Sequence, residues 1–363
     1  MTRGWLMAVI AGGGSVGLVA LMAAAGVCLS SGCSTLGYYA QSVSGHLAIV
    51  RAARPVPEWL ADPATTAALK ERLRLSQRIR DYAVSELNEP DNASYRRYAD
   101  LQRSAAIWNV VAAPELSLTL QTWCFPVVGC VGYRGYYEAV DANAFADGLR
   151  AQGLEASVYG VPAYSTLGLL PGDAFADPLL NTFIDYPEGE LARLIFHELA
   201  HQIAFAKGDT VFNESFATAV ERIGGARWLA SQAGPQAREA YARYDGRRQD
   251  FRALTGRYRE RLQTLYAGSA SDADKRAAKG ALMVELRAEF ETMKRERWGG
   301  FSGYDGWFAR ANNAALGVLA AYNELVPNFE RLFEREQRDF PRFYAEVRRL
   351  AALPLAERRI ALP

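Results

Sequence analysis

The sequence predicts an α+β fold, predominantly helical, with a small mixed or antiparallel sheet ahead of a motif-bearing helix and a long helical hairpin after it. Three observations carry that reading. The first is His197-Glu198-Leu199-Ala200-His201, an H-E-x-x-H motif that continues the apolar run Leu191-Ala192-Arg193-Leu194-Ile195-Phe196, which reads as a buried helix. The second is a set of short runs with strand character, Ile107-Trp108-Asn109-Val110-Val111, Leu116-Ser117-Leu118-Thr119-Leu120 and Ala156-Ser157-Val158-Tyr159. The third is a pair of long, highly charged segments, residues 236–266 and 272–298, joined by Ala267-Gly268-Ser269-Ala270-Ser271 with Ser271 placed as an N-cap.

The N-terminus reads as a targeting segment. After Met1-Thr2-Arg3-Gly4-Trp5, residues 6–29 carry no charge and end at Ser30-Ser31-Gly32-Cys33. Small residues before a Cys look like a lipobox, which assigns residues 1–32 to a signal peptide and makes Cys33 the lipidated first residue. Ser30 stands where Leu is usual, and the alternative is an uncleaved membrane anchor. Both readings place the remainder outside the cytoplasm. Residues 33–363 are expected to form a single domain, with the hairpin inserted at about 235–298; no Pro- or Gly-rich linker divides them and no repeat is visible. Of the 4 Cys, Cys124 and Cys130 remain. In an oxidising compartment they read as a disulfide; as metal ligands they lack neighbouring His or Cys.

The other elements follow in order. Residues 36–51 read as a helix carrying His46, taken as structural. Residues 64–87 read as a second helix, with Lys70, Glu71, Arg72 and Arg78 on its exposed side. A helix at 139–151 separates the predicted strands. The motif helix is expected to stop at Lys207-Gly208, because Gly favours a helix C-terminus. Asp209 and Thr210 then read as the N-cap of a helix over 211–221 that turns back beside the first. Residues 307–322 read as a further helix, with Asn312 and Asn313 in its apolar part. Two adjacent buried amides need partners, either a substrate backbone or a network within the fold.

The chemistry is concentrated in the motif. Positions i and i+4 of a helix lie roughly 40° apart, so His197 and His201 project from one face. That suits two ligands of one tetrahedral Zn²⁺. Glu198 is placed beside the first ligand to serve as general base toward water. Glu214, 13 residues after His201, completes a His₂Glu set with one coordination position open. Asp209 and Glu221 are candidates to accept the free ring N–H of a ligand His; the bland alternative is a cap and a solvated helix face. With 41 basic and 40 acidic residues the net charge is +1, which gives no footing for nucleic acid or an anionic polymer.

His197-Glu198-x-x-His201 followed by Asn213-Glu214-Ser215-Phe216-Ala217 and Glu221 resembles the gluzincin metallopeptidases, and in particular the Asn-Glu-Gly-Phe-Ala type segment of aminopeptidase N-like enzymes. The chain is more closely similar to a bacterial lipoprotein family of predicted aminopeptidases. That likeness runs through Gly32-Cys33-Ser34, Tyr38-Tyr39, Trp108-Asn109-Val110-Val111-Ala112, Tyr133-Arg134-Gly135-Tyr136, Ala163-Tyr164-Ser165-Thr166-Leu167-Gly168, the zinc segment and Asn312-Asn313-Ala314. The interval between the second His and the ligand Glu is shorter than in other gluzincins. Their amine-binding Gly-x-Met-Glu-Asn segment is absent.

The resemblance implies a gluzincin-like core and a peptide substrate held along an edge strand by strand addition. Residues 163–168 are the candidate for it, with the hydroxyls of Tyr164 and Thr166. It also implies a Tyr as oxyanion donor: Tyr322 first, then Tyr304, Tyr164 and Tyr136. Asn312 and Asn313 are the candidates to hold the substrate backbone. By analogy with Gram-negative lipoproteins, Ser34 points to an outer-membrane anchor through Cys33, facing the periplasm. The expected activity is that of a zinc peptidase, in first place an aminopeptidase. The alternatives are an envelope endopeptidase for quality control and a non-catalytic scaffold stabilised by zinc. The sequence carries no signal for oligomeric state.

Overall fold

The computed structural model describes residues 33–125, 129–163, 176–319 and 324–363. The chain divides into two compact units, Met1–Ala48 and Ile49–Pro363. The described part of the first unit is helical and belongs to α1 (Cys33–Ala52). No described helix is long and apolar enough to cross a membrane; the segment expected to be a signal peptide lies outside the described residues, as does any side-chain detail of Cys33.

The second unit begins with β1 (Arg54–Pro55), α2 (Val56–Ala61) and α3 (Ala67–Leu87). Thr66 caps α3 by accepting the Leu69 N–H, and Asn88, left-handed at φ 53°, ends it. Arg72, expected on the exposed side, instead donates to the carbonyls of Ile184 and Tyr186. β2 (Arg97–Ala99) runs antiparallel to β1 and parallel to a later β8.

β3 (Ile107–Pro114) is the centre of the main sheet. After the hairpin β4 (Trp123–Phe125) and β5 (Gly129–Val131), closed by the Cys124–Cys130 disulfide, come β6 (Arg134–Tyr136), α4 (Ala139–Ala151) and β7 (Leu154–Val161). β3 pairs antiparallel with β6 on one side and β7 on the other. Val110, Val111, Ala112 and Ala113 are all fully buried, so both faces of β3 are covered. Leu116–Leu120 is a correction: these residues form no strand. Pro114 ends β3 and a turn follows, with the Ser117 N–H reaching the Pro114 carbonyl. The alternating leucines then pack inward instead of pairing in a sheet, Leu120 beside Val111, Ala113 and Ala314.

β8 (Leu179–Leu180) leads into α5 (Glu188–Ala200) and α6 (Thr210–Ser231). α5 is shorter than the sequence suggested and ends at Ala200, with His201 as its C-cap. The Asn213 side chain replaces the missing helical bonds: it accepts the Ala206 N–H at 2.7 Å and donates to the Ala206 carbonyl at 2.9 Å. Because His201 keeps helical dihedrals (φ −59°, ψ −24°), the i, i+4 relation of the two histidines survives. Asp209 caps α6 by accepting the Phe212 N–H.

The two helices pack closely because α6 carries Gly224-Gly225. A Cβ at Gly224 would lie 2.6 Å from Leu87 Cδ1 and 2.9 Å from Phe196 Cδ2; one at Gly225 would lie 2.5 Å from Arg193 Cγ. Each helix fits against the other only where these side chains are missing.

α7 (Pro235–Ala267) and α8 (Asp272–Glu296) form the hairpin, with Ser271 as N-cap of α8. Phe251, Leu254, Tyr258 and Leu262 meet Met283, Leu286 and Phe290 in a core of its own. Where one helix was expected, the chain makes two short ones, α9 (Asp305–Arg310) and α10 (Asn313–Val318). Asn312, extended at φ −150°, breaks them apart and caps α10. α11 (Val326–Arg335), α12 (Phe340–Ala351) and α13 (Leu355–Ala361) finish the chain. Their Phe329, Phe343 and Tyr344 pack on Phe216 of α6, which anchors the helix that brings Glu214 and Glu221 to α5.

Candidate metal centre

The residue pairs His197 with Glu221, His201 with Glu214 and Arg193 with Gly225 run in opposite directions along α5 and α6. That antiparallel register converges three ligand atoms. His197 Nε2 and His201 Nε2 are 3.2 Å apart, and Glu214 Oε2 lies 3.3 Å from the first and 3.8 Å from the second. Zinc holds N and O donors at about 2.0–2.1 Å in a tetrahedron, which separates the donors by about 3.3 Å. The three atoms therefore fit a zinc-sized ion. Among the described residues they are the one cluster of three or more His, Cys, Asp or Glu close enough to share a metal.

Glu221 accepts from His197 Nδ1 at 2.9 Å, which fixes the ring and leaves Nε2 free to turn its lone pair inward. The other oxygen of Glu221 pairs with the buried Arg193. Arg193 stands one turn before His197 on the same helix and extends the network to the hairpin. It donates to Tyr241 at 2.6 Å and reaches Asp245 at 3.4 Å. Arg248 joins Glu190 through two bonds of 2.7 and 2.8 Å. His201 is oriented differently: its Nδ1 is buried with no hydrogen-bond partner among the described residues.

The electrostatics divide the five acidic and basic groups. Burial opposes ionisation of Glu221, but Arg193 and the His197 hydrogen bond overcome it and hold the carboxyl at about 2. Burial also opposes ionisation of Glu214, and the two histidines outweigh it, so its pKa is lowered. Burial drives His201 down to about 4, keeping the imidazole neutral. His197 is also penalised by burial, yet Glu214 and Glu221 flank both ring nitrogens and raise it well above the usual histidine range. Burial lifts Glu198 to about 7; Glu214, Asp177 and Glu221 add to the rise and His197 opposes it. A carboxyl poised near neutrality is suited to taking up a proton and releasing it.

The remaining expected site residues separate. Asp209 is a correction: its carboxylate caps α6 and pairs with Arg358 at 2.7 Å and Arg359 at 2.8 Å, so it makes no bond to a ligand His. Asn312 and Asn313 are corrections too. Asn312 accepts from Ala315 N–H and donates to the Ala156 carbonyl. Asn313, fully buried, donates to the carbonyls of Pro114 and Glu115 and accepts from the Tyr266 hydroxyl. Both amides are consumed in tying α10 to the sheet. Tyr304 stacks on Phe251 in the hairpin core. Tyr164, Thr166 and Tyr322 lie outside the described residues, as does nearly all of the expected substrate edge at 163–168.

Two residues of the site were missed in the sequence. Arg193 had a visible signal, a lone charge within an apolar helical run that must be paired if buried. Tyr95 had none. It is buried at left-handed φ 63°, a conformation strained for an aromatic residue. Burial raises its hydroxyl well above the ordinary tyrosine value, with Glu198 the next contributor.

A family model described as putative aminopeptidase matches residues 37–362. No match was found among the curated proteins or among the solved structures.

Proposed function

Because this chain belongs to the putative aminopeptidase family, we propose that it is a zinc-dependent peptidase in which His197, His201 and Glu214 hold the ion and Glu198 is the general base. The observation that carries the reading is the spacing of the three donor atoms, 3.2, 3.3 and 3.8 Å, beside a half-buried carboxyl poised at about 7.

When bound, zinc supplies Lewis acidity toward the scissile carbonyl and acidifies a water. The other roles belong to the chain. His197 is held by Glu221, which sets its tautomer and aim. Glu198 takes the proton of the attacking water onto its carboxylate and returns it to the leaving amine nitrogen. Glu221 stays ionised throughout, since Arg193 neutralises it. In this reading the protein is anchored in the cell envelope through lipidated Cys33, the setting in which the Cys124–Cys130 disulfide is stable.

The test is Glu198→Gln in the full chain. The variant should keep its zinc and lose hydrolysis of a library of short peptides. Undiminished hydrolysis would remove Glu198 from the mechanism, and a wild-type protein that takes up no zinc would end the metal reading.

A further inference from the structure

A cavity of about 400 Å³ is lined by Arg222 of α6, Arg252, Thr255 and Arg259 of α7, Leu319 and Glu324; Leu325, which follows Glu324, donates its N–H to Ser215, the neighbour of Glu214. The cavity's charge is unusual for a protein with nearly balanced charges: three guanidinium groups converge on it against a single carboxylate. Arg222 has a partner in Glu330 at 3.5 Å. Arg252 and Arg259 form no ion pair and no side-chain hydrogen bond among the described residues, although both are half-buried. The Thr255 hydroxyl is turned to the Phe251 carbonyl at 2.8 Å and is spent within the helix.

Holding like charges together is unfavourable without an anion to share. Burial, and then Arg222 beside it, lower the pKa of Arg252; Glu221 and Asp245 act in the other direction. That electrostatic link to Glu221 also ties the cavity to the metal centre. Glu221 bonds His197, and Arg222 is the next residue of the same helix.

We propose that this cavity is the subsite for the C-terminal carboxylate of a short peptide whose scissile bond lies at His197, His201 and Glu214. The inference rests on the peptidase reading above and names its substrate class. The carboxylate chemistry follows from the lining: a planar guanidinium pairs with a carboxylate through two parallel hydrogen bonds. The length follows from the helix. Glu214 and Arg222 are eight residues apart on α6, about 12 Å along its axis at 1.5 Å per residue. An extended peptide covers that distance in about three or four residues at 3.3 Å each. The substrates are therefore tetrapeptides and pentapeptides with free C-termini, one residue before the scissile bond and three or four after it, and longer chains are disfavoured because the subsite requires an end.

The experiment measures binding by calorimetry to the full-length, zinc-loaded Glu198→Gln protein, which removes turnover. The probes are tetraalanine, tetraalanine amide and Ala-Ala-Ala-Asp amide. Tetraalanine should bind at least tenfold more tightly than either amide, and R252M or R259M introduced separately should abolish most of that difference. Equal affinities for tetraalanine and its amide overturn the subsite, as does a preference that persists in both arginine variants. Tight binding of Ala-Ala-Ala-Asp amide overturns the assignment to the C-terminus in favour of an acidic side chain. The two readings fail separately. Wild-type hydrolysis that ignores the C-terminus sinks the subsite and leaves the peptidase, whereas carboxylate-selective binding without any wild-type hydrolysis sinks the peptidase.

Discussion

Replacing Glu221 with Gln isolates what the residue behind the ligand contributes. In the structure Glu221 makes two contacts, a 2.9 Å bond from His197 Nδ1 and an ion pair with buried Arg193. Its pKa falls from an ordinary 4.5 to about 2, and at about 1.4 kcal/mol per unit the surroundings favour the carboxylate by about 3 kcal/mol. Gln keeps an acceptor for the His197 N–H but not the charge, so only part of that is lost. Losses of this kind reduce metal affinity about 10–100-fold, or about 1.4–2.7 kcal/mol. Competition with a chromogenic chelator reads the change directly.

The sign of the pH dependence follows from the depressed value. Glu221 contributes stability that is present above about 4.5 and is lost as the pH falls toward about 2. The stability gap between wild type and E221Q, measured by urea unfolding of the metal-free proteins, should therefore close over that interval. An apparent zinc affinity within twofold of wild type, or a gap that does not change with pH, would refute the coupling of Glu221 to His197.

Other consequences can be checked alongside. In E198Q, peptide hydrolysis should drop about 10²–10⁴-fold with zinc stoichiometry unchanged by elemental analysis. The metal-free protein holds a proton on His197, whose pKa is raised well above the usual range by Glu214 and Glu221 against the cost of burial. Zinc uptake near neutral pH should thus release about one proton, seen as a buffer-dependent heat in calorimetry; equal heats in buffers of different ionisation enthalpy would contradict it. In G225A the new Cβ would sit 2.5 Å from Arg193 Cγ, an overpacking that should cost about 1–3 kcal/mol of stability and weaken zinc binding. Reducing the Cys124–Cys130 bond, which closes a short loop, should cost about 2 kcal/mol and leave zinc binding unchanged, because the bond touches no ligand.

The cluster of candidate metal ligands was legible in the sequence because its information is local. His197, Glu198 and His201 share one turn of helix, and Glu214 follows after a single bend, so helical periodicity alone brings them near one another. Glu221 was legible for the same reason, seven residues beyond Glu214 on the same face. Asp209 shared that logic and went elsewhere, because Arg358 and Arg359 arrive from the C-terminal end of the chain, and no local pattern reports such a partner. Asn312 and Asn313 looked like substrate contacts for a similar reason. Their partners, Ala156, Pro114 and Tyr266, are far away in sequence, and buried amides are satisfied equally well by a fold as by a ligand. Leu116–Leu120 alternated like a strand but used its leucines to pack against α10. Tyr95 was invisible, since its strained backbone comes from tertiary contacts.

The geometry also bears on whether the centre is catalytic or merely stabilising. A zinc site that serves stability is closed by four protein ligands, whereas a catalytic one keeps a position for water or substrate. The described residues converge three donors. A structural site has no use for a half-buried carboxyl next to its first ligand, because withdrawing it from water costs free energy and its pKa climbs to about 7 as a result. Nor does it need the supporting chain Glu221–Arg193–Tyr241, which holds a histidine in one tautomer and spans three helices. Such support is warranted where a ring must stay fixed while charge develops beside it. The scaffold alternative therefore makes its own demand: E198Q, free of an awkward half-buried acid, should be more stable than wild type and otherwise indistinguishable from it. Comparing the unfolding free energy of E198Q with its peptidase activity separates the two, for a gain in stability accompanied by loss of hydrolysis is the signature of an acid kept for chemistry.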